Sequence, residues 1–230
     1  WSQPQQNPQE EIITLPNFTA TVAQPIDFDQ VTSDSVTVFT LNDATLPEGV
    51  TLEKGRLEMT AQNAAKTTVN VSGNGRACTA ELIDAVVAAY GKRPVERTMK
   101  AEVLLNAMKD GQAALIKAGT IELKLTPKAS EYTPIYYLVG ALQGWDQEAK
   151  TCMFYPESQT VQTYTTQWTG DGNLKIWDEN NFGDWNNCIG AATDGDNAAS
   201  GKLVTSNAGA IVCPEKGAFY TLKVDFETMS

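Results

Sequence analysis

Residues 168–188 read WTGDGNLKIWDENNFGDWNNC and hold three of the five tryptophans of the chain. Those three are Trp168, Trp177 and Trp185. A fourth, Trp145, lies upstream in a Gly-Trp-Asp triplet, and Lys175 is the one amine among the glycines and short amides of the stretch. Flat apolar rings cover the C–H faces of a pyranose, while amides and ammonium groups hydrogen-bond its hydroxyls. The stretch therefore indicates a carbohydrate-binding surface on a loop-rich β framework.

The composition is that of an ordinary globular protein. With 230 residues, 42% of them hydrophobic and 20% charged, the chain has room for one large or two ordinary β domains. No apolar run reaches the length that a membrane helix needs. The chain starts at Trp1 without a methionine, which fits either removal of a targeting segment or an artificial start.

The charge and the missing histidines exclude several function classes. A net charge of −11 weighs against nucleic acid, heparin-like polymers and anionic membrane surfaces as partners, and favours a neutral ligand or a cationic partner. The chain has no histidine, which removes Ser-His-Asp catalysis, Cys-His catalysis and histidine-ligated zinc. We expect a protein that is not an enzyme and that has no catalytic residues, metal or cofactor.

The cysteines and acidic residues leave alternatives open. No C-x-x-C spacing joins Cys78, Cys152, Cys188 and Cys213, so either a Cys188–Cys213 disulfide or four free, mostly buried thiols fits. The acidic residues near the tryptophans are Asp171, Asp178, Glu179 and Asp184. They raise the ideas of a calcium site and of a glycosidase carboxylate pair, but no segment follows the D-x-D-x-D-G order of a calcium loop.

The first half of the chain predicts a β domain with one helix. Residues 1–10 indicate a flexible tether, and short strands follow over 11–15, 35–41, 50–52, 56–59, 67–71, 97–108 and 120–125. The composition of 97–108 also suits a helix, but its period of two favours a strand. Lys54-Gly55 predicts a hairpin turn. Residues 79–90 have helical spacing, with Thr79 as N-cap and Gly91 as the stop.

The second half predicts a separate β-sandwich. The polar, proline-bounded segment 128–134 indicates a linker between a domain over 11–127 and one over 135–230. Strands are expected over 135–139, 151–155, 161–167, 174–177, 210–213 and 219–224. The predicted fold class is all-β, with two immunoglobulin-like β-sandwich domains, the first carrying the short helix.

Several dispersed motifs of the second half resemble one family. They are Tyr-Tyr-Leu-Val-Gly at 136–140, Gly-Trp-Asp at 144–146, Leu-Lys-Ile-Trp at 174–177, Gly-Asp-Trp at 183–185 and the closing run at 217–225. With the helix and the Leu-Lys-Leu-Thr-Pro segment at 123–127, they resemble the SusE/SusF family of surface lipoproteins. Those proteins serve glycan uptake in Gram-negative bacteria, and their repeated β-sandwich modules bind starch.

The resemblance implies a set of ligand-binding residues. Trp145 and Trp185 match the two rings of the family's aromatic arc, Lys175 matches its basic residue, and Asn207 loosely matches an asparagine before a later strand. Trp177 is a fifth candidate, although its place within an alternating strand favours burial in the core. Trp168 lies near a strand end, and burial in the core is favoured for it as well.

The resemblance also implies a location and partners. We expect a protein of the outer membrane that is exposed at the cell surface, with a lipid anchor upstream of Trp1. It would bind a neutral glycan, for which a starch-like α-glucan is the leading expectation. Its protein partner would be an outer-membrane transporter complex. Starch binders of the family carry two or three modules and this chain has room for one, so multivalency would be lost. The alternative is an assembly component without a glycan site.

Overall fold

The computed structural model describes residues 10–63, 65–169 and 171–230. The chain divides into two compact units, Trp1–Tyr132 and Thr133–Ser230, a division that falls within the predicted 128–134 linker. The predicted 1–10 tether lies outside the described residues except for its last residue. The all-β prediction with one α-helix is confirmed for the described part of the chain. No helix in that part has the length and apolar character needed to cross a bilayer.

The first unit is built on one large sheet. Its elements are β1 Glu11–Ile13, β2 Ala20–Val22, β3 Ile26–Asp27, β4 Ser35–Thr37, β5 Phe39–Leu41, β6 Val50–Thr60, β7 Lys66–Val71, β8 Arg76–Cys78, α1 Thr79–Tyr90, β9 Arg97–Lys109 and β10 Gln112–Thr126, with 3-10 helices at Phe28–Gln30 and Ala129–Glu131. The eight-stranded sheet has the order β1-β10-β9-β6-β7-β8-β4, with β3 also on β10, and β2 pairs with β5. Strands, helix and the β2–β5 pair enclose one apolar core.

The helix has the predicted bounds but a different N-cap. Its first residue is Thr79, and Cys78 is the N-cap, without a side-chain capping bond. The Thr79 hydroxyl instead donates to the Ser33 carbonyl at 2.8 Å, which ties the helix start to the loop before β4. The helix ends at Gly91, as predicted. This residue has φ +82°, and its backbone N–H donates to the Val87 carbonyl.

The predicted hairpin at Lys54-Gly55 is wrong, because β6 runs through it as one strand with a register shift between Leu52 and Gly55. A Cβ at Gly55 would lie 2.6 Å from the Leu104 carbonyl oxygen, so the glycine permits close approach of β9. The hairpin lies instead at Asp110-Gly111, where φ is +50° and +81°. Positive φ at both central residues is what a tight two-residue β-turn requires.

The second unit is a sandwich of two three-stranded sheets. Its strands are β11 Tyr136–Gly140, β12 Tyr155–Pro156, β13 Val161–Gln167, β14 Asn173–Asp178, β15 Gly190–Ala191, β16 Leu203–Val204, β17 Ile211–Val212 and β18 Phe219–Asp225, with 3-10 helices at Ala141–Gln143, Glu179–Asn181 and Trp185–Asn187. One sheet is β11-β14-β17, the other is β12-β13-β18, and β15 pairs with β16. The predicted strand over 151–155 shortens to β12 and a bridge between Met153 and Tyr137.

Alternation along β14 gives its sheet two apolar faces. Leu174 and Ile176 are fully buried in the sandwich core together with Val224 of the opposite sheet and Phe154, which precedes β12. Lys175 and Trp177 point to the other face, because successive side chains of a strand alternate. That second face carries the candidate site.

The cysteines are free thiols, which corrects the Cys188–Cys213 pairing and agrees with the alternative of four thiols. Cys188 packs beneath the second face of the β11–β14 sheet, whereas Cys213 belongs to the sandwich core. The two thiols therefore lie in different apolar clusters. Burial raises the pKa of the Cys213 thiol.

Candidate functional site

The outer face of the β11–β14 sheet carries a small aromatic cluster. Pairing of β11 with β14 sets Val139 beside Lys175 and Tyr137 beside Trp177. The cluster is built on the buried side chains of Val139, Trp177, Cys188 and Ala208, over which Trp145, Phe182, Trp185 and Val204 pack. Three of these covering residues are aromatic and keep part of their surface in solvent. The result is a shallow shelf, which we call the aromatic shelf.

Trp185 lies at the centre of the aromatic shelf. Its ring centroid is 4.1 Å from that of Trp177 and 6.0 Å from that of Trp145, with interplanar angles of 41° and 52°. It opens the 3-10 helix Trp185–Asn187, whose N-cap is Asp184. The Asp184 carboxylate accepts from the Asn186 N–H at 2.9 Å and from Asn187 Nδ2 at 2.7 Å. This local capping fixes the position from which the ring projects.

Trp145 is held in a tight loop after β11. Its φ of +58° follows Gly144 at +71°. A bulky residue in the left-handed region costs roughly 1–2 kcal/mol, and such strain is concentrated at functional positions. The loop is stabilised because the Trp145 N–H donates to the Gly140 carbonyl at 2.9 Å, while the Gln143 amide exchanges two hydrogen bonds with the backbone of Asp146.

Lys175 places its ammonium beside the central ring. Its Nζ is 5.7 Å from the centroid of Trp185, a cation–π distance. Within the described residues it makes no ion pair with a carboxylate. Its ammonium therefore lies beside the central ring and forms no ion pair with an acidic side chain of the described residues. The structure therefore brings together Trp145, Lys175 and Trp185, which were predicted from positions far apart in the sequence.

Trp177 does not present a face to a ligand, which corrects its place among the candidate contact residues. Its side chain is 0% exposed, and its Nε1 donates to the Asp184 carbonyl at 2.9 Å. It therefore supports the shelf from below by packing under Trp185 and by fixing the loop that carries it. Trp168 is also fully buried, in the sandwich core, as its position favoured.

Asn207 is exposed at φ +50°, a left-handed conformation that asparagine tolerates. Its neighbour Ala208 packs in the apolar cluster beneath Trp145 and Trp185. The loop before β17 thus places the backbone of Asn207 next to a residue of the apolar cluster. A direct role for Asn207 in ligand binding stays a prediction.

The aspartates near the tryptophans serve as local caps. Asp178 accepts from the backbone of Asn180 and Asn181 at 2.8 and 3.0 Å, and Asp171 accepts from the Asn173 N–H at 3.0 Å. These are turn and helix-cap bonds, which account for the frequency of Asp and Asn in the stretch. Within the described residues, no group of three or more Cys, Asp or Glu side chains is arranged to hold a metal ion.

Sequence reasoning missed three residues of this face: Tyr137, Phe182 and Lys150. The Phe182 ring lies 5.0 Å from Trp177 and 5.3 Å from Tyr137. Lys150 Nζ lies 5.4 Å from the Phe182 centroid and 5.7 Å from the Tyr137 centroid. Burial, with a smaller effect of Glu179, raises the pKa of Tyr137. Phe182 beside Gly183 repeats the ring-next-to-glycine pattern of Trp145, which was a usable signal.

The cavity of about 740 Å³ in this unit lies elsewhere, between the 196–203 loop, β17 and β18. Trp145, Lys175 and Trp185 do not line it. A flat or shallow shelf encloses little volume, so its residues are identified by ring geometry rather than by enclosure. The aromatic shelf remains the better candidate because partly exposed rings converge there with two lysines that form no ion pair within the described residues.

The two halves of the chain match separate models of known protein families. Residues 1–127 match a family model described as the N-terminal domain of outer membrane protein SusF, and residues 131–230 match one described as the first starch-specific CBM of SusF. The outer membrane protein SusF of Bacteroides thetaiotaomicron is 25% identical over 241 residues, covering 100% of this chain and 49% of that protein.

The crystal structure of SusF from Bacteroides thetaiotaomicron is also similar, with a TM-score of 0.38 and 20% sequence identity over 96% of this chain and 50% of that one. The chain thus spans about half the length of the relatives it matches. Its larger matched part, residues 1–127, is the N-terminal domain of the family. The chain belongs to the SusF family of outer membrane proteins.

Proposed function

We propose that the carboxyl-terminal unit binds a neutral oligosaccharide on the aromatic shelf and catalyses no reaction. The leading candidate for this ligand is an α-glucan of the starch type. The observation that carries the proposal is the pair formed by Trp145 and Trp185, partly exposed rings 6.0 Å apart and tilted by 52°. Lys175 adds hydrogen-bond donors beside them. The family model over residues 131–230, described as a starch-specific CBM, supports the same substrate class.

The tilt between the rings favours a curved glycan. Coplanar rings suit a flat, ribbon-like chain, whereas successive sugars of an α-1,4-linked chain turn relative to one another. Two rings at 52° can each lie against a different sugar of such a curved chain. The net charge of −11 is consistent with a neutral ligand, because an anionic polysaccharide would be repelled.

In this proposal the first unit acts as a spacer at the cell surface, and a lipid anchor upstream of Trp1 holds the protein on the outer membrane. The partner would be an outer-membrane transporter complex that takes up the bound glycan. A single module binds weakly, so further modules or the transporter would supply the avidity.

The test is titration calorimetry with maltoheptaose and a β-1,4-linked oligosaccharide of similar length. We expect binding of maltoheptaose, weaker or absent binding of the β-linked chain, and loss of binding in Trp185→Ala. Phe219→Ala is the matched control, because Phe219 is an aromatic residue 73% exposed on β18 of the other sheet. Unchanged binding in Trp185→Ala would disprove the aromatic shelf as the glycan-binding site. Absence of glycan binding by the wild type would favour the assembly role.

A further inference from the structure

The aromatic cluster continues beyond Trp185 to a second lysine. The ring centroids run from Trp145 to Trp185 at 6.0 Å, to Trp177 at 4.1 Å and to Phe182 at 5.0 Å. Of these rings, Trp177 is buried and the others are partly exposed. The far end of the row is Phe182, and Lys150 lies over it at 5.4 Å. The shelf therefore has one amine near its centre and another near one end.

Phe182 packs against two buried aromatic rings. It contacts Trp177 at 5.0 Å and meets Tyr137 edge to face at 5.3 Å and 82°, and these two rings are 0% and 8% exposed. Buried aromatic partners restrict the motion of a surface ring, so the ring is ordered before any ligand arrives. Gly183 at φ +93° follows and turns the chain towards Trp185. Phe182 and Trp185 are thus presented by the same short loop.

Lys150 and Lys175 differ from the other lysines described in this unit because both lie over aromatic rings. Among the other lysines described in residues 133–230, Lys223 pairs with Glu157 at 3.0 Å, whereas Lys202 and Lys216 have neither an ion pair nor a ring contact. Within the described part of the chain, neither Lys150 nor Lys175 forms an ion pair. Both instead lie over aromatic rings, where the ammonium keeps its hydrogen-bond donors. This is the arrangement already described for the proposed sugar contact at Trp185.

We propose that Phe182 and Lys150 form a second sugar subsite, which extends the aromatic shelf and makes the affinity depend on the length of the glycan. The proposal rests on the function proposed above and adds the size class of the ligand. A short oligosaccharide covers Trp145, Trp185 and Lys175 alone. A longer α-glucan also lies against Phe182 and accepts hydrogen bonds at its hydroxyls from Lys150.

The test compares maltotriose with maltoheptaose by titration calorimetry. Lys150→Met keeps the apolar stem of the side chain and removes the ammonium, so folding is unaffected on an exposed loop. We expect Lys150→Met to weaken maltoheptaose binding by about tenfold, the worth of one charged hydrogen bond, and to leave maltotriose binding unchanged. Lys150→Arg should restore much of the loss, and Lys216→Ala, on the exposed β17–β18 loop, is the neutral control.

The outcomes separate the two proposals. If the wild type binds both glycans and Lys150→Met changes neither, the subsite is disproved while the shelf stands. An equal loss for both glycans likewise overturns the length dependence, because it places Lys150 in the first subsite. If the wild type binds no glycan, the proposed function itself fails, whatever the variants do.

Discussion

The indole rings of Trp177 and Trp185 lie 4.1 Å apart between centroids, and the first is fully buried whereas the second is partly exposed. A core residue thus supports a surface residue directly. Any change at Trp177 is transmitted to the shelf through this contact and through the Nε1 bond to the Asp184 carbonyl. We therefore expect the stability of this unit and the proposed glycan binding to change together when this one position is altered.

The first prediction compares the two buried tryptophans. Trp177→Phe loses ring volume and the 2.9 Å hydrogen bond to Asp184, whereas the indole N–H of Trp168 has no hydrogen-bond partner among the described residues. Both replacements remove the same ring atoms from a fully buried site. We expect Trp177→Phe to be less stable than Trp168→Phe by about 1 kcal/mol, because only it loses a bond. Urea unfolding of both variants measures the difference, and equal midpoints would contradict the prediction.

The second prediction concerns Lys175. One hydrogen bond from a charged donor contributes roughly 1.5–3 kcal/mol, so Lys175→Ala should weaken glycan binding by about tenfold or more. The thermal unfolding midpoint should change little, because Lys175 is a partly exposed residue without an ion pair in the described part of the chain. Lys216→Ala controls for the loss of one positive charge. Equal affinities of Lys175→Ala and Lys216→Ala for maltoheptaose would exclude the contact.

The third prediction tests whether the Asp184 cap positions Trp185. Asp184→Ala removes two hydrogen bonds of the 3-10 helix and should cost about 1 kcal/mol of stability, as lost N-caps do. Affinity should fall as well, because the ring is then less ordered. Asp196→Ala removes a similar 2.9 Å bond to the Ala198 N–H in a loop without shelf residues. A fall in affinity of the same size in that variant would argue against a specific role of Asp184.

The fourth prediction is a pH dependence in the first unit. The Ser130 hydroxyl donates to Asp29 at 2.6 Å and lowers the pKa of that carboxyl below its ordinary 3.8. Because the folded pKa is the lower one, the bond's contribution is present above the ordinary value and is lost as the pH falls through the folded pKa. Ser130→Ala should raise the pKa of Asp29. NMR titration measures it, with Asp43, whose lowered pKa depends on Thr45, as an internal control.

The fifth prediction tests the β9–β10 turn. Gly111 has φ +81°, and a Cβ there would meet no atom within 4 Å, so the cost of a side chain is conformational alone. We expect Gly111→Ala to lose roughly 1–2 kcal/mol, and Gly111→Asn to lose less because asparagine tolerates the left-handed region. Chemical denaturation of both variants provides the comparison. Identical stability of the alanine and asparagine variants would show that the turn is not strained in this way.

Local patterns predicted the element types better than their connections. The period of two over residues 97–108 identified β9, and the helical spacing over residues 79–90 identified α1. Lys54-Gly55 looked like a turn because glycine is frequent in turns, but Gly55 is needed for close approach between strands, a tertiary requirement that local sequence does not display. The real turn at Asp110-Gly111 carries the stronger Asp-Gly signal and was overlooked.

The site was predictable where alternation and turn chemistry determine orientation. Lys175 follows from its place in β14, and Trp145 from the glycine turn before it. The burial of Trp177 depends on the 182–188 loop folding back over β14, which no local pattern reveals. Phe182 and Lys150 come from separate loops, so only the folded chain brings the ring and the amine together.

The opposed faces of β14 also restrict how this module can change. Leu174 and Ile176 fill the sandwich interior, and Lys175 and Trp177 build the outer face. Gaining or losing a single residue within the strand would reverse the side chains on one side of the change, so that the amine entered the interior or an apolar core residue faced the solvent. Diversification of ligand preference in such modules should therefore proceed by substitutions and by loop changes, while the length of this strand is held constant.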